Sequence, residues 1–332
     1  NAENRIWGEL GRLKAFKRQN PDLILGLAGC MPQEENVVER VLKKYQHVDI
    51  VFGTHNIHKL PKYVMDAYFN KERVVEVFSQ EGEIVENIPT KRDHNKKAWV
   101  NIMYGCDEFC TYCIVPYTRG KERSRNPEDI MQEVDELIAE GYIEITLLGQ
   151  NVNAYGKDFV EREYTFANLL EDLSHTKMKR VRYTTSHPRD LDQATIDIMG
   201  TGKNIMPHLH LPVQSGSNAV LKKMNRKYTK EMYLEKITAL RKAVPNISLT
   251  TDIIVGFPGE TDEEFNETMN FVKAVGCSRI HVFKYSPRKG TPAASMDGQI
   301  HGDVKSKRSE ELIKLGEELT IAFNSKFNHK KL

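Results

Sequence analysis

Three cysteines fall within eight residues in the run Cys106-Asp107-Glu108-Phe109-Cys110-Thr111-Tyr112-Cys113, spaced four and then three residues apart. Cysteine thiolates are the usual holders of iron-sulfur clusters. Three on one loop can hold three irons of a four-iron cube while the fourth iron keeps no protein ligand. An iron left open in that way suggests chemistry. Structural zinc is the competing reading, but it wants four closed ligands, and neither cysteine nor histidine stands in the twenty residues after Cys113. A cluster of core thiols is the plainest alternative. Three of the chain's five cysteines in eight positions are hard to explain by packing alone.

The rest of the composition is that of an ordinary globular protein: 332 residues, 39% hydrophobic and 28% charged. Apolar runs such as Leu23 to Ala28 and Ile143 to Leu148 have strand length and fall far short of a membrane span. The polar, periodic first residues, Asn1 to Arg12, do not read as a signal peptide, so a cytoplasmic location is expected. An odd cysteine count with three crowded together is no disulfide framework, and a reducing compartment suits an oxidation-sensitive cluster. The net charge of +2 does not advertise nucleic-acid binding in bulk. Locally, Arg119, Lys121, Arg123 and Arg125 put four cations in seven residues beside the cysteines. They are placed for phosphate or carboxylate contact, or else form a solvated loop.

To position such a loop, the sequence from about Ala98 onward alternates strand-length apolar runs with helical periodicity. Strands are expected at 99–104, 144–148, 181–185, 208–212, 248–255 and 279–285. Helices are expected from Pro127 with Ile130, Val134, Leu137 and Ile138 on one stripe, and at 166–173, 194–199, 233–243 and 262–275. Six strand-helix units are too few for a closed eight-unit barrel, so the expected fold is an α/β open three-quarter (β/α)6 barrel with its chemistry at the strand C-terminal ends. Residues 1–78 read as a smaller α/β domain, with helices at 3–18, 34–45 and 59–69 and strands at 23–28, 50–52 and 74–78. Residues 79–97 read as a polar linker, 98–290 as the barrel, and 291–332 as an extension with a long helix over 304–327 striped by Leu312, Leu315, Leu319 and Phe323.

The spacing Cys-x3-Cys-x2-Cys, with Tyr112 just before the last cysteine, resembles the signature of the radical S-adenosylmethionine (SAM) enzymes. Four further runs, in order, look like the methylthiotransferase branch of that family: 147–153 (LLGQNVN), 185–188 (TSHP), 209–217 (LHLPVQSGS) and 252–260 (DIIVGFPGE). Tyr104-Gly105-Cys106 and the run 114–120 (IVPYTRG) are most similar to its tRNA-modifying members, and the likeness extends over essentially the whole chain. The resemblance implies a [4Fe-4S] cluster on Cys106, Cys110 and Cys113 whose open iron is chelated by the amino and carboxylate groups of SAM. Electron transfer to SAM would then release a 5′-deoxyadenosyl radical. It also implies a second [4Fe-4S] cluster in the N-terminal domain. Of that cluster's three cysteine ligands only Cys30, in Ala28-Gly29-Cys30-Met31-Pro32, has a match here. The opening residues resemble sequence that follows the second of those ligands, and nothing before Leu332 matches the family's small β-barrel RNA-binding (TRAM) domain. A fragment is therefore the expectation.

The implied reaction is insertion of a methylthio group at carbon 2 of N6-isopentenyladenosine beside the tRNA anticodon. The implied partners are the anticodon stem-loop and an electron donor such as a flavodoxin or ferredoxin, with no membrane. Position by position, the resemblance suggests that Tyr112 lies against the SAM adenine, and that Gln150 bonds the amino end of SAM or else caps a turn. Ser186, His187 and Gln214 would reach its ribose or carboxylate, or the substrate. Arg226 would pair with the carboxylate through its fork of donors. Asp252 would accept from the ribose hydroxyls, with Val255 to Phe257 lining the adenine face beside Gly256. No catalytic group is expected beyond the cluster ligands, and Cys277 reads as core. A sibling methylthiotransferase acting on threonylcarbamoyl-adenosine or on a ribosomal-protein aspartate, and a non-catalytic RNA-binding module with a structural metal, remain as alternatives.

Overall fold

The computed structural model describes residues 2–78, 82, 84–86, 88–92, 94–328 and 330. The chain forms two compact units, one of Asn1–Thr90 with Val115–Lys121, the other of Lys91–Ile114 with Glu122–Leu332. The expected linker at 79–97 lies partly outside the described residues, and the division falls within it. Its last residue, Lys97, already belongs to a strand.

In the first unit, α1 (Ala2–Gln19), β1 (Gly26–Ala28), α2 (Glu35–Lys44), β2 (Ile50–Phe52), α3 (Leu60–Met65) and β3 (Val74–Glu76) alternate, and the strands form a parallel sheet in the order β1-β2-β3. Strand β2 is buried on both faces: Val51 packs with Trp7, Leu10, Val37 and Val41, while Ile50 and Phe52 pack with Tyr63 and Ala67. The third helix is shorter than expected because its last turn widens into a π-turn over Asp66–Asn70 and closes on left-handed Lys71.

The second unit holds six parallel strands: β4 (Lys97–Asn101), β7 (Glu144–Leu148), β8 (Arg180–Tyr183), β9 (His208–His210), β10 (Ser248–Val255) and β11 (Arg279–Lys284). Two further short strands, β5 (Met103–Tyr104) and β6 (Arg123–Ser124), pair antiparallel. The ladders run β4-β7-β8 and β9-β10-β11. A bridge at Val181 and Ile205 joins them, with Val181 N–H donating to Asn204 O at 2.8 Å and Met206 N–H to Val181 O at 3.0 Å. All six strands therefore follow in sequence order around an open barrel, as the periodicity predicts. The helices α5 (Pro127–Ala139), α6 (Phe166–Ser174), α7 (Gln193–Thr201), α9 (Lys230–Ala243) and α10 (Asp262–Val275) intervene, and the short α8 (Asn218–Lys223) lies in a loop, while α4 (Val115–Arg119) belongs to the first unit. The helix starts are local chemistry: Thr165 and Thr261 build capping boxes with Asn168 and Glu264, and Asp192 and Thr229 cap α7 and α9. Strand residues Ala98, Val100, Ile145, Leu147, Val181, Leu209, Leu249 and Ile253 join the helices in one core.

Of the strand ends that differ from expectation, three have identifiable reasons. The strand expected over 99–104 is two, because at Ile102 the chain changes partner: its N–H donates to Leu148 O (2.8 Å) and its carbonyl accepts from Arg125 N–H (2.9 Å). Strand β8 ends at Tyr183 because Thr185 adopts φ 65°. Strand β9 stops at His210 because Pro212 has no N–H to give and the Val213 N–H goes to Thr251 Oγ1 at 3.0 Å rather than to a strand carbonyl.

The last helix, α11 (Gly302–Ser325), belongs to the barrel unit. It buries Leu312 and Leu315, with Leu319 packed beside them. It also carries Arg308, whose guanidinium bonds Glu260 Oε2 at 2.7 Å with both side chains almost fully buried, and Asp262 Oδ1 at 2.7 Å. Arg308→Ala would strand the Glu260 carboxylate in the core, so we expect a loss of about 3–5 kcal/mol in urea unfolding. The double variant Arg308→Met with Glu260→Gln, which keeps an acceptor for the Gly256 N–H, should recover most of that loss.

Candidate functional site

The three cysteines lie on the loop that follows β5, at the C-terminal end of the barrel strands. Left-handed backbone marks the same end. Of five non-glycine residues with positive φ among those described, Phe109, Thr185, Gln214 and Asn225 are all here, and only Lys71 is elsewhere. Such conformations persist where surrounding structure holds them, and they concentrate at ligand sites.

The loop is clamped from several sides. Gln150, just past β7, accepts the Gly105 N–H on its side-chain Oε1 at 2.7 Å, so this residue anchors the entry to the loop; its other polar atom is the amide nitrogen. The end of α8 does the rest: Thr111 N–H donates to Met224 O (3.1 Å), Thr111 Oγ1 to Lys223 O (3.0 Å), and Asn225 Nδ2 to Phe109 O (3.0 Å). From the far side Ala293 N–H donates to Thr111 O at 2.9 Å. Cys113 N–H closes the loop on Cys110 O at 2.9 Å.

Arg226 is buried, and all the bonds it makes are internal. Its Nη1 donates to Cys110 Sγ at 3.2 Å, Nη2 to Pro212 O at 3.1 Å, and Nε to Tyr228 OH at 2.7 Å. The guanidinium expected to meet a SAM carboxylate thus lies against the Cys110 sulfur.

Ser186 and His187 are buried at the end of β8. His187 takes the Arg189 N–H on Nδ1 (3.3 Å), gives its own backbone N–H to Asn153 Oδ1 (3.2 Å), and stacks edge-on against Tyr228. Burial, reinforced by Arg226, pushes the His187 pKa far down, so the imidazole is neutral. Burial also raises Glu108, against the pull of the Arg189 guanidinium that contacts it. The 3.7 Å approach of His187 Nε2 to Glu108 is therefore no strong ion pair.

On the fourth and fifth strands the backbones of Gln214 and Asp252 interlock, with Gln214 N–H donating to Asp252 O and Ile254 N–H to Gln214 O, both at 2.9 Å. Both side chains stay partly exposed. Two residues expected to line the adenine face have buried side chains. The Val255 side chain lies wholly within the barrel core, and the Phe257 ring is fully enclosed by Val220, Met224, Tyr285 and Ala293. Phe257 instead supports Tyr112 edge-on, with centroids 6.4 Å apart, and Tyr112 remains partly exposed. Gly256 (φ 69°) donates its N–H to Glu260 Oε2 at 2.7 Å, and a Cβ there would lie 2.4 Å from the Lys305 side chain. The close backbone approach at Gly256 is thus to α11.

Of the basic run, Arg125 is structural: its buried guanidinium bonds Asn101 O (2.6 Å) and Glu133 Oε2 (2.8 Å) through Nη1. Cys277 is buried core, as expected. Cys30 sits in the first unit, partly exposed, at the start of a 3-10 turn after left-handed Gly29.

The donor set fits an iron-sulfur cluster of the kind the spacing predicts. Burial pushes the Cys106 thiol up to about 12, so that thiol gives up its proton only to a strongly cationic group. A polar ligand beside it also fits. Asn151 Oδ1, Asn153 Nδ2 and Ser186 Oγ are buried here without a hydrogen-bond partner among the described residues. A three-thiolate second cluster does not fit the first unit, whose cysteine is Cys30 alone.

Sequence reasoning missed Glu122, which accepts the Asp107 N–H at 3.4 Å. Burial first, then the nearby Asp107, Asp190 and Glu108 carboxylates, pushes its pKa up to about 7. The folded chain therefore holds a proton that the unfolded chain releases near 4.5, and the stability that proton confers is lost as pH rises toward 7. Glu122→Gln is expected to flatten that slope and to raise the denaturation midpoint of the cluster-free chain at pH 8 more than at pH 5.

The sequence profile of the Radical SAM superfamily matches residues 100–272. The chain is 58% identical over 327 residues to a tRNA-2-methylthio-N(6)-dimethylallyladenosine synthase of Bacillus cereus (strain AH187), covering 98% of this chain and 64% of that protein. It is 57% identical over 332 residues to the protein of that name from Oceanobacillus iheyensis, again covering 64% of it. The chain thus spans a little under two thirds of the length of these curated relatives. Among solved structures, the apo form of the cobalamin-dependent SAM radical enzyme OxsB aligns with TM-score 0.57 at 14% identity, over 95% of this chain and 46% of that one. The radical SAM methyltransferase TsrM from Kitasatospora setae, with cobalamin and a [4Fe-4S] cluster bound, aligns with TM-score 0.52 at 16% identity, over 64% of this chain and 42% of that one. At such identities the likeness concerns the fold. With an open six-strand barrel, a clamped three-cysteine loop at its C-terminal end and a profile match over more than half its length, the chain belongs to the radical SAM superfamily.

Proposed function

We propose that this chain is the radical-generating portion of a tRNA methylthiotransferase acting at carbon 2 of N6-isopentenyladenosine beside the anticodon. The observation that carries the reading is the near-complete coverage of this chain, at 58% identity, by relatives bearing that activity in their name, with the cysteine loop clamped where the family's chemistry occurs. When bound, a four-iron cluster with SAM on its open iron supplies reductive cleavage of the sulfonium, and with it the means to activate an aromatic C–H bond.

The chain's own residues bind and orient. Cys106, Cys110 and Cys113 would hold the cluster. Gln150, Thr111 and Asn225 keep the loop in place, and Arg226 donates to the Cys110 sulfur. Ser186 Oγ and Asn153 Nδ2, buried without a partner among the described residues, would take polar groups of SAM, with Asp252 and Gln214 on its ribose and the exposed edge of Tyr112 against its adenine. The target base would leave its stack to reach this recessed end of the barrel. Exposed Trp99 on β4 and Phe283 on β11, the two strands at the open edges, offer stacking faces. No step is derived through a second cluster. A reducing cytoplasm with a flavodoxin or ferredoxin as electron donor fits this chemistry; no helix among the described residues is long and apolar enough to cross a membrane.

An isopentenylated anticodon stem-loop deuterated at carbon 2 of the adenine tests the reading. With the cluster-loaded chain, SAM and reductant, deuterium should appear in the 5′-deoxyadenosine product. Product formed without deuterium, while the same label is transferred from a threonylcarbamoyl-adenosine substrate, would overturn it in favour of the sibling activity.

A further inference from the structure

Three side chains from adjacent strands meet on one face of the barrel wall. In the parallel register His210 of β9 stands opposite Thr250 of β10, and Asp252, two residues on and so on the same face, stands opposite His281 of β11. One ligand atom from each of His210, Asp252 and His281 lies within 4.8 Å of the others. His210 Nε2 is 3.5 Å from Asp252 Oδ1, and the two imidazoles sit edge to face with centroids 5.9 Å apart. All three are partly exposed, so an ion could enter.

Two features distinguish this from an ordinary His-Asp contact. The 3.5 Å gap is longer than a good hydrogen bond. It matches the separation of about 3.4 Å between neighbouring donors that metal-ligand bonds of about 2.0–2.1 Å produce in a tetrahedron. The other nitrogen of His210 is already fixed, Nδ1 lying 2.9 Å from Thr250 Oγ1. A bond of that kind orients a metal-binding imidazole and sets its tautomer.

We propose that His210, Asp252 and His281 form a binding site for a divalent transition-metal ion, distinct from the cysteine loop, whose occupation excludes SAM from Asp252. Two imidazoles and one carboxylate suit zinc, iron(II), cobalt or nickel. One carboxylate, with Arg279 two residues from His281 on the same strand, is a poor set for calcium or magnesium, which want several oxygens. The exclusion rests on the proposed contact of Asp252 with the SAM ribose; the metal site does not.

The test titrates zinc into the cluster-loaded chain under anaerobic conditions, by calorimetry, and takes zinc-edge X-ray absorption at one equivalent. The expected result is a nitrogen and oxygen shell with imidazole scattering. His281→Ala and His210→Ala should each weaken zinc at least about 100-fold, and Thr250→Val about tenfold. If either alanine variant melts differently from the parent, Asp252→Asn, which keeps the side-chain shape, takes its place. A sulfur shell, or zinc affinity unchanged in these variants at unchanged melting temperature, would overturn the site. Saturating zinc should weaken SAM binding in the parent chain and not in His281→Ala. Zinc held by the histidines with SAM affinity unaffected would support the metal site while overturning the exclusion and the ribose role of Asp252.

Discussion

Replacing any one of Cys106, Cys110 and Cys113 with alanine should abolish both iron retention after anaerobic reconstitution and formation of 5′-deoxyadenosine. The cluster-free barrel should keep its fold. Cys110 is buried and Cys106 and Cys113 are half-buried, and each change removes one sulfur from a loop whose backbone is held independently by Gln150, Thr111, Asn225 and Ala293. A cube left with two protein thiolates has lost a ligand at a second iron, so the effect is expected to be all or none. Cys277→Ala is the control: it leaves iron content intact and lowers stability by about 1 kcal/mol through a small core cavity. Iron and sulfide analysis beside circular dichroism separates the two outcomes.

The second large effect concerns Arg226. In the cluster-free chain its buried guanidinium is held by the Cys110 sulfur, the Tyr228 hydroxyl and the Pro212 carbonyl. Burying that charge is costly, and its hydrogen bonds offset the cost, so Arg226→Met should change cluster-free stability only modestly. Once Cys110 is a thiolate, the 3.2 Å contact becomes a charge-assisted bond of about 1.5–3 kcal/mol. The variant should therefore lose iron to a chelator about 10–100 times faster than the parent. Its cluster potential should become more negative, since hydrogen bonds to sulfur stabilise the reduced state. Arg226→Lys keeps a charge but not the fork that serves Cys110, Pro212 and Tyr228 together, and is expected to rescue poorly. Equal iron release from parent and both variants would show that this arginine does not serve the cluster.

Local signals in the sequence carried much of this. Strand-length apolar runs separated by capped, periodic helices were enough to expect six units in order, and strands β7 and β10 have the expected bounds. The cysteine spacing marked the loop. What stayed hidden depended on contacts between distant residues. The six-residue helix α8, too short to show periodicity, holds the loop through bonds spanning more than a hundred residues, from Thr111 to Lys223 and from Phe109 to Asn225. Likewise, no spacing rule says that Arg226 meets Cys110 or that Gln150 spends its carbonyl on Gly105. The burial of the Val255 and Phe257 side chains was hidden for a related reason. In a strand alternating faces, Ile253 and Val255 point to the helices and Ile254 does not, but the loop after it sends Phe257 back into a satellite core with Tyr285.

The central claim, that the loop of Cys106, Cys110 and Cys113 holds an open-iron cluster serving SAM, is tested most directly by anaerobic reconstitution of this chain, SAM and dithionite. The account predicts about four irons per chain and 5′-deoxyadenosine accumulating with time, with none from Cys110→Ala. A fully assembled cluster that leaves SAM intact under strong reductant would contradict it.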